Sequence, residues 1–331
     1  MKTKFLAVCV AVIACAAALT GCRGKKSGDK ILVLLDWTPN TNHTGMYVAL
    51  EKGWFAEEGL NVTITQPPED EALVLVASGK AEFGVSFQES LGPAIAKERD
   101  ALPVTAVAAI ISHNTSGIMS LKESGIQRPA DLSGKRFASW ETPLVTEVVR
   151  RIVEKDGGDF NAVRMIPNFA TDAFSALQTD VDAIWIYYAF DGITAEARNI
   201  GINYIDLGAV DSILDFYTPV LVANTKWLSS NSQTAKKFLG AVSRGYYFAM
   251  ENPAEAAEIL LKHAPETDRQ TAVRSQQYLA SRYKGDAPRW GEIDPVRWSA
   301  FYRWMFEKGL LEINIGAGGF TNEYLPDNAG R

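Results

Sequence analysis

Residues 35–45 read LDWTPNTNHTG and carry a carboxylate, an indole, two amides and an imidazole. The apolar run at 31–35 precedes this segment and suits a buried parallel strand. The next residues, 44–58, predict a helix that is closed by Gly59. The polar cluster therefore falls at the carboxyl end of a strand, where open α/β sheets bind their ligands. A capped turn containing one core tryptophan is the alternative interpretation.

The amino terminus has the features of a secretory signal. Two lysines precede an apolar run at 5–19, which is too short to span a membrane comfortably and ends in small residues. The last four residues of this signal, LTGC, resemble the lipobox of bacterial lipoproteins, in which cleavage leaves the cysteine as a lipid-bearing terminus. We therefore expect residues 1–22 to be a lipoprotein signal and Cys22 to carry the lipid. Residues 23–30 would form a flexible tether on the outer side of a bacterial cell membrane.

Composition narrows the possible functions of the rest of the chain. The chain has 331 residues and a formal net charge of −6. About 300 residues follow the tether, which is enough for two lobes with separate cores. Cys9 and Cys15 leave with the signal, so no cysteine remains for a disulfide or a thiolate metal site. Basic residues are dispersed rather than interleaved with aromatic ones, which argues against nucleic-acid binding.

The body of the chain alternates strand-like and helix-like segments, as in βαβ units with a mostly parallel sheet. Strands are predicted at 31–35, 60–65, 82–87, 103–111, 117–121, 135–140, 163–166, 183–187, 203–206 and 219–223. Helices are predicted at 44–58, 69–78, 143–155, 172–178, 229–251, 254–263, 267–283 and 294–308. The last helix carries an aromatic stripe, which we assign to the core: Trp298, Phe301, Tyr302, Met305 and Phe306.

The order of these segments predicts two lobes. One α/β set occupies residues 31–115 and a second occupies 116–218. The strand at 219–223 returns to the first set, which continues through the helices to residue 331. The chain would then cross between the lobes twice, near 114–116 and 216–219, and two crossings make a hinge.

Several stretches resemble the thiamine-pyrimidine-precursor family. They are LDWTPNTNHTGMYVALEKGWFAEEGLNVTI, VASGKAEFGVSFQES, PVTAVAAII, SGIMSLKESGI, PADLSGKRFASW, TEVVRRIVEKDGGD, DAIWIYYAFDGI and FTNEYLP. The family includes extracytoplasmic binding proteins of ABC importers and related eukaryotic pyrimidine synthases, and sulfonate-binding proteins are neighbouring branches. The resemblance covers most of the chain after residue 30. It implies a type II periplasmic-binding-protein fold, in which two α/β lobes are joined by a two-segment hinge.

The resemblance also distinguishes the binding proteins of the family from its enzymes. In the enzyme branch it implies a lysine that holds pyridoxal phosphate and a nearby histidine, at positions where this chain has Ser86 and Ser90. It further implies a cysteine-rich run where residues 213–217 read ILDFY. The three histidines are widely spaced, and no GxSxG elbow or P-loop is present. We therefore expect no enzymatic activity, no cofactor and no metal.

A binding function gives physical roles to a small set of residues. Trp37 offers a π face for a heteroaromatic ring, and Trp140, Tyr187 or Tyr188 would supply the opposite face from the second lobe. Carboxylates and amides would pair with ring nitrogens and exocyclic amines, which need partners once they leave water. The predicted ligand contacts are Asp36, Trp37, Asn40, His43, Phe87, Gln88, Ser116, Trp140, Glu147, Tyr187 and Tyr188.

Several of these residues have alternative structural roles. Asp36 would cap the turn that follows it, and Glu147 would be a solvated helix residue. His43 would order its own loop. Tyr188 would lie in the core while Tyr187 faces the ligand, because neighbours on a strand point to opposite faces.

The ligand class stays open at this stage. Pyrimidine binders of the family, as the resemblance implies, often carry an acidic residue shortly after the strand-end tyrosine, where this chain has Ala189 and Phe190. Glu141 or Asp191 would substitute, although Asp191 also suits a helix amino terminus. The expected ligand is a thiamine pyrimidine precursor, with a flavin or a sulfonate-type anion as alternatives. The expected protein partners of this chain are an ABC permease and a separate ATPase subunit.

Overall fold

The computed structural model describes residues 28–66, 72–167 and 172–327. The predicted signal, Cys22 and the tether as far as residue 27 lie outside these ranges. None of the described helices is both long enough and apolar enough to cross a membrane.

The described chain contains ten strands, numbered here in chain order. They are β1 Asp29–Leu34, β2 Leu60–Thr65, β3 Phe83–Ser86, β4 Val104–Ala109, β5 Ser116–Leu121, β6 Arg136–Ser139, β7 Arg164–Pro167, β8 Ala183–Tyr187, β9 Ile202–Asp206 and β10 Val220–Asn224.

The α-helices are numbered in the same way. They are α1 Thr44–Glu51, α2 Trp54–Glu57, α3 Ala72–Ala77, α4 Gln88–Ile95, α5 Pro143–Lys155, α6 Ala173–Thr179, α7 Ile193–Ala197, α8 Leu207–Val210, α9 Thr225–Ser230, α10 Ser232–Glu251, α11 Pro253–Leu261, α12 Arg269–Ala280 and α13 Pro295–Glu307.

The strands form two sheets of five. The first sheet has the order β2-β1-β3-β10-β4, and the second has the order β7-β6-β8-β5-β9. In each sheet the three leading strands run parallel, and one strand inserts antiparallel to its neighbours: β10 in the first sheet and β5 in the second. The predicted return of the chain to its first sheet is therefore confirmed by β10.

The two connections between the sheets are short. The first runs from the end of β4 at Ala109 to the start of β5, and the second runs from the end of β9 to Val220. Two α/β sheets joined in this way form the predicted type II periplasmic-binding-protein fold. We retain 31–115 with 219–331, and 116–218, as the proposed lobe boundaries, and we call these the first and second lobe.

Three element predictions need correction. The single helix predicted at 44–58 is broken at Gly53, whose φ of 76° is left-handed. The long helix predicted at 229–251 is two helices, α9 and α10, that meet at Asn231. The first strand begins at Asp29, inside the segment that was predicted to be tether.

The final helix, α13, ties the lobes together at the hinge. Its aromatic stripe is buried as predicted, except for Phe306, which is exposed. Phe301 stacks on Phe216 of the second connection, with ring centroids 4.4 Å apart. Burial of several aromatic rings stabilises this junction more than any surface ion pair would.

Candidate functional site

A cavity of about 750 Å³ lies between the two lobes. The first lobe contributes residues that follow β3 and residues at the end of α13. The second lobe contributes residues that follow β6 and the end of β8. The lining residues are Phe87, Glu89, Ser90, Pro93, Trp140, Thr142, Pro143, Leu144, Val145, Trp185, Tyr187, Met305, Gly309 and Leu310.

Local structure explains which side chains reach this cavity. Trp185 and Tyr187 are alternate residues of β8 and therefore point to the same face of the sheet. Thr142 caps α5, because its hydroxyl accepts from the amide of Val145 at 3.3 Å, so the chain turns sharply after Trp140. Both sets of residues are thus positioned by strand ends, as in other open α/β sheets.

The second lobe supplies an aromatic wall. The rings of Trp140 and Trp185 lie 6.1 Å apart at an interplanar angle of 30°. The Tyr187 hydroxyl lies 3.4 Å from the Thr218 hydroxyl of the second connection. Burial raises the pKa of Tyr187 well above its usual value. Tyr187 therefore stays neutral and contacts the second connection beside the lobe boundary.

Glu89 is the one acidic residue among the described residues that line this cavity, and no Arg or Lys accompanies it there. Its Oε1 accepts a hydrogen bond from the Thr218 hydroxyl at 3.2 Å. Its Oε2 is buried and has no hydrogen-bond partner within the described ranges. Burial raises the pKa of Glu89 to about 8, against the lowering effects of its own backbone amide and of Thr218.

A smaller cavity of about 390 Å³ lies beside the loop at 36–43. Trp37 and Asn40 line it from the first lobe, and Phe190 and Asp191 line it from the second. Trp37 is 68% exposed. Burial raises the pKa of Asp191 to about 6, and Asp172 adds to the rise. The predicted ligand contacts are thus divided: Trp37 and Trp140 line different cavities rather than facing each other across one.

His43 organises this loop. It is fully buried, and its Nε2 lies 2.6 Å from Asp36 Oδ1. Its Nδ1 accepts from the Asn40 amide at 3.2 Å, so the proton belongs on Nε2, which donates to Asp36. Asn40 Oδ1 in turn accepts from the Asn42 amide. Both ring nitrogens of His43 and Oδ1 of Asp36 are therefore used within the loop.

Four other predicted contacts line neither cavity: Gln88, Ser116 and Tyr188, described here, and Glu147, described below. The amide of buried Gln88 is fully used, since Nε2 donates to Trp298 O at 3.2 Å and Oε1 accepts from Tyr217 N at 2.8 Å. Ser116 is buried beside Tyr187 in the second sheet. The Tyr188 hydroxyl donates to Glu196, as expected if Tyr187 alone faces the cavity.

Glu147 has a different role. Its carboxylate pairs with Arg150 on the same helix at 3.2 Å and lies 3.7 Å from Lys308 Nζ, which follows α13. The pair with Lys308 connects the two lobes. The structure therefore places Glu147 at the lobe interface rather than in a cavity.

Sequence reasoning missed Glu89 and Trp185. Glu89 lies between Ser86 and Ser90, the two positions that the family resemblance had singled out. Trp185 lies two residues before Tyr187, so strand alternation would have placed it beside that predicted contact. Among the described residues, no group of three His, Cys, Asp or Glu side chains is arranged to hold a metal ion.

Comparison with known proteins shows the family to which this chain belongs. The family described as NMT1/THI5 like matches residues 40–256, well over half of the chain. The chain belongs to the NMT1/THI5-like family. It is 27% identical over 325 residues to a formylaminopyrimidine-binding protein from Halalkalibacterium halodurans, covering 95% of this chain and 96% of that protein.

Other relatives of this NMT1/THI5-like chain differ in function. It is 25% identical over 316 residues to a 4-amino-5-hydroxymethyl-2-methylpyrimidine phosphate synthase from Aspergillus parasiticus, covering 90% of this chain and 88% of that protein. Among solved structures, it is similar to the alkanesulfonate-binding protein SsuA from Xanthomonas axonopodis pv. citri. The TM-score is 0.66 at 13% identity, with 89% of this chain and 99% of that one covered. The structural likeness supports the fold.

Proposed function

We propose that this chain is the substrate-binding protein of an ABC importer and captures a small heteroaromatic nutrient, a thiamine pyrimidine precursor. The observation that carries the proposal is the inter-lobe cavity, whose described lining combines Trp140, Trp185 and Tyr187 with one buried carboxyl group and no cationic side chain.

The cavity suits a flat, weakly polar ring. Binding sites for small molecules are mostly apolar and contain a few polar groups that fix orientation. An aromatic ring placed against Trp140 gains both buried area and favourable ring geometry. Because the cavity has walls from both lobes, closure about the hinge would remove such a ligand from water and couple binding to lobe movement.

The same lining disfavours a sulfonate. An anion needs charge-assisted donors such as Arg, Lys or converging backbone amides. The described lining offers no cationic side chain, and the buried carboxyl group of Glu89 supplies no positive charge to balance an anion. The likeness to an alkanesulfonate-binding protein at 13% identity therefore does not extend to the ligand in this proposal.

We also propose that the chain transfers its ligand unchanged to a permease that is driven by a separate ATPase. Ser86 is buried in β3 and Ser90 lines the cavity, and neither can form the lysine linkage that the enzyme branch of the family is expected to use. The proposed location is extracytoplasmic, with the chain anchored through lipid on Cys22.

Mass spectrometry tests both the proposed ligand and the proposed lipid anchor. The protein is freshly purified from the membranes of the cells that produce it. We expect denaturation to release a nitrogen heterocycle, and we expect the intact mass to show cleavage before Cys22 with added lipid. Recovery of a sulfonate alone would contradict the ligand assignment, and an unprocessed, unlipidated terminus would contradict the anchor.

A further inference from the structure

Two buried polar atoms of the inter-lobe cavity lack partners within the described chain. They are Oε2 of Glu89 and Nε1 of Trp185, and both residues line the cavity. A buried donor or acceptor without a partner is costly, and native structures contain few of them. Two in one cavity between lobes indicate that a ligand completes them.

The surroundings of Glu89 are uncharged on each packed element that affects it. Thr218 approaches from the second connection, Tyr187 from β8 and Tyr302 from α13. The Tyr302 hydroxyl donates to the carbonyl of Gln88 at 2.9 Å and is not available to the carboxyl group. An ionised Glu89 would therefore be a buried charge without a counter-ion, which favours the protonated acid at neutral pH.

We propose that Glu89 is the specificity-determining ligand contact, and that its Oε2 shares a proton with a ring nitrogen of an amino-substituted nitrogen heterocycle. This inference rests on the proposed function and narrows its ligand class. The proton starts on Oε2 and is donated to the ring nitrogen, so the complex holds one proton between the two atoms. An exocyclic amine on the ring raises the basicity of that nitrogen, which strengthens the bond.

The proposal predicts a pH dependence with a defined direction. Burial raises the pKa of Glu89 to about 8. Above that pH the free protein loses the shared proton and must regain it when ligand binds, so affinity falls. Titration calorimetry with 4-amino-5-hydroxymethyl-2-methylpyrimidine at pH 7, 8 and 9 should show affinity falling by up to about tenfold per pH unit above the pKa.

Two substitutions separate the roles of the carboxyl group. Glu89→Gln keeps one donor and one acceptor but cannot ionise, so its affinity should be constant from pH 7 to 9. Glu89→Leu removes both and should weaken binding about 10- to 100-fold. If Glu89→Leu does not fold, the pH profile of the near-isosteric Glu89→Gln still decides the question. Glu123→Gln, an exposed residue of the second lobe, is the matched control and should retain the wild-type profile.

A second ligand tests the proton acceptor. In the 4-oxo analogue one ring nitrogen carries hydrogen and the other is less basic because the amine is gone, so this analogue should bind the wild type more weakly than the amine does. Equal affinity for both pyrimidines, or a Glu89→Gln profile that falls as the wild type does, overturns the role of Glu89 while the proposed function stands. A wild type that binds neither pyrimidine at any pH overturns both proposals.

Discussion

Gln88 and Glu89 are neighbours on the first turn of α4 and have opposite roles. Gln88 is fully buried, and its amide joins the second connection to α13 through Tyr217 and Trp298. Glu89 points to the cavity, where Oε2 has no partner in the described chain. Successive residues on a helix are separated by about 100°, so one of the pair can hold the hinge while the other meets a ligand.

Trp140 is the aromatic residue on which the proposed binding site most directly depends. It lines the larger cavity and is 40% exposed, so ligand can cover it. We expect Trp140→Ala to weaken pyrimidine binding by about 1–3 kcal/mol, as loss of an aromatic anchor does. Calorimetry at pH 7 measures the change, and an unaltered melting temperature would show that the fold is retained.

Trp37→Ala is the matched comparison for this prediction. Trp37 was predicted to stack on the ligand, but it lines the smaller cavity, and we expect a smaller loss than for Trp140→Ala. If Trp37→Ala abolishes binding while Trp140→Ala does not, the ligand occupies the smaller cavity, with Asp191 as its carboxyl partner.

The sequence predicted that strand ends would line a cavity, but not which side chains would reach it. Strand ends rich in aromatic and polar residues were recognisable, because polar residues after apolar runs are visible in one dimension. Whether Asp36 faces ligand or His43 depends on the path of the loop, which no local pattern defines. The choice between Gln88 and Glu89 likewise depends on the rotation of α4 relative to the hinge.

At the scale of elements, α1 and α10 pack unusually closely beneath the loop at 36–43. A Cβ added at Gly245 would collide with the carbonyl oxygen of Gly45, and one added at Gly45 would collide with the ring of Tyr246. The Tyr246 hydroxyl donates to the carbonyl of Asn42 at 2.7 Å. The glycines thus allow α10 to support the loop that carries Trp37.

Gly245→Ala should therefore destabilise the protein although alanine is the better helix former. We expect a loss of about 1–3 kcal/mol in the free energy of unfolding, because backbone must move to admit the methyl group. Gly240→Ala on the same helix meets no atom within 4 Å and should stabilise by up to about 1 kcal/mol. Urea unfolding of both variants measures the contrast, and equal effects would show that the close approach is not required.

The ends of helices were predictable where a capping residue or a proline determines them. The start of α5 follows from Thr142 and Pro143, a capping residue before a proline at the first helical position. The break at Gly53 was missed because an isolated glycine inside a helical pattern can be tolerated as well as end the helix. Only its left-handed φ, which the structure supplies, distinguishes the two.

At the scale of the whole molecule, the hinge is held by a charged cluster that joins both connections to the C-terminal segment. Asp215 of the second connection lies 2.6 Å from His113 Nδ1 of the first. The amide of Asn114 also donates to Asp215. Arg297 of α13 pairs with Asp215 at 3.0 Å, and Asp286 lies 2.8 Å from His113 Nε2. The cluster therefore joins both connections to the segment that contains Asp286 and Arg297.

This cluster should make stability depend on pH. The hydrogen bond to Asp215 raises the pKa of His113, with Asp286 adding to the rise, while partial burial and nearby Arg297 oppose it. A raised pKa in the folded state stabilises the protein fully below the unfolded pKa, and that contribution is lost as pH rises through the folded pKa. We expect the melting temperature of wild type to exceed that of His113→Gln by more at pH 6 than at pH 9.

Asp286→Asn provides the graded control for this prediction. Asp286 is largely exposed, so its charge is screened and its removal should reduce the pH dependence only in part. Asp215 is mostly buried and bonds the Asn114 amide as well, so Asp215→Asn should cost more stability and remove most of the pH dependence. A difference between wild type and His113→Gln that is constant from pH 6 to 9 would show that His113 does not titrate with folding. The hinge cluster would then rest on the pair of Asp215 and Arg297 and on the Asn114 amide.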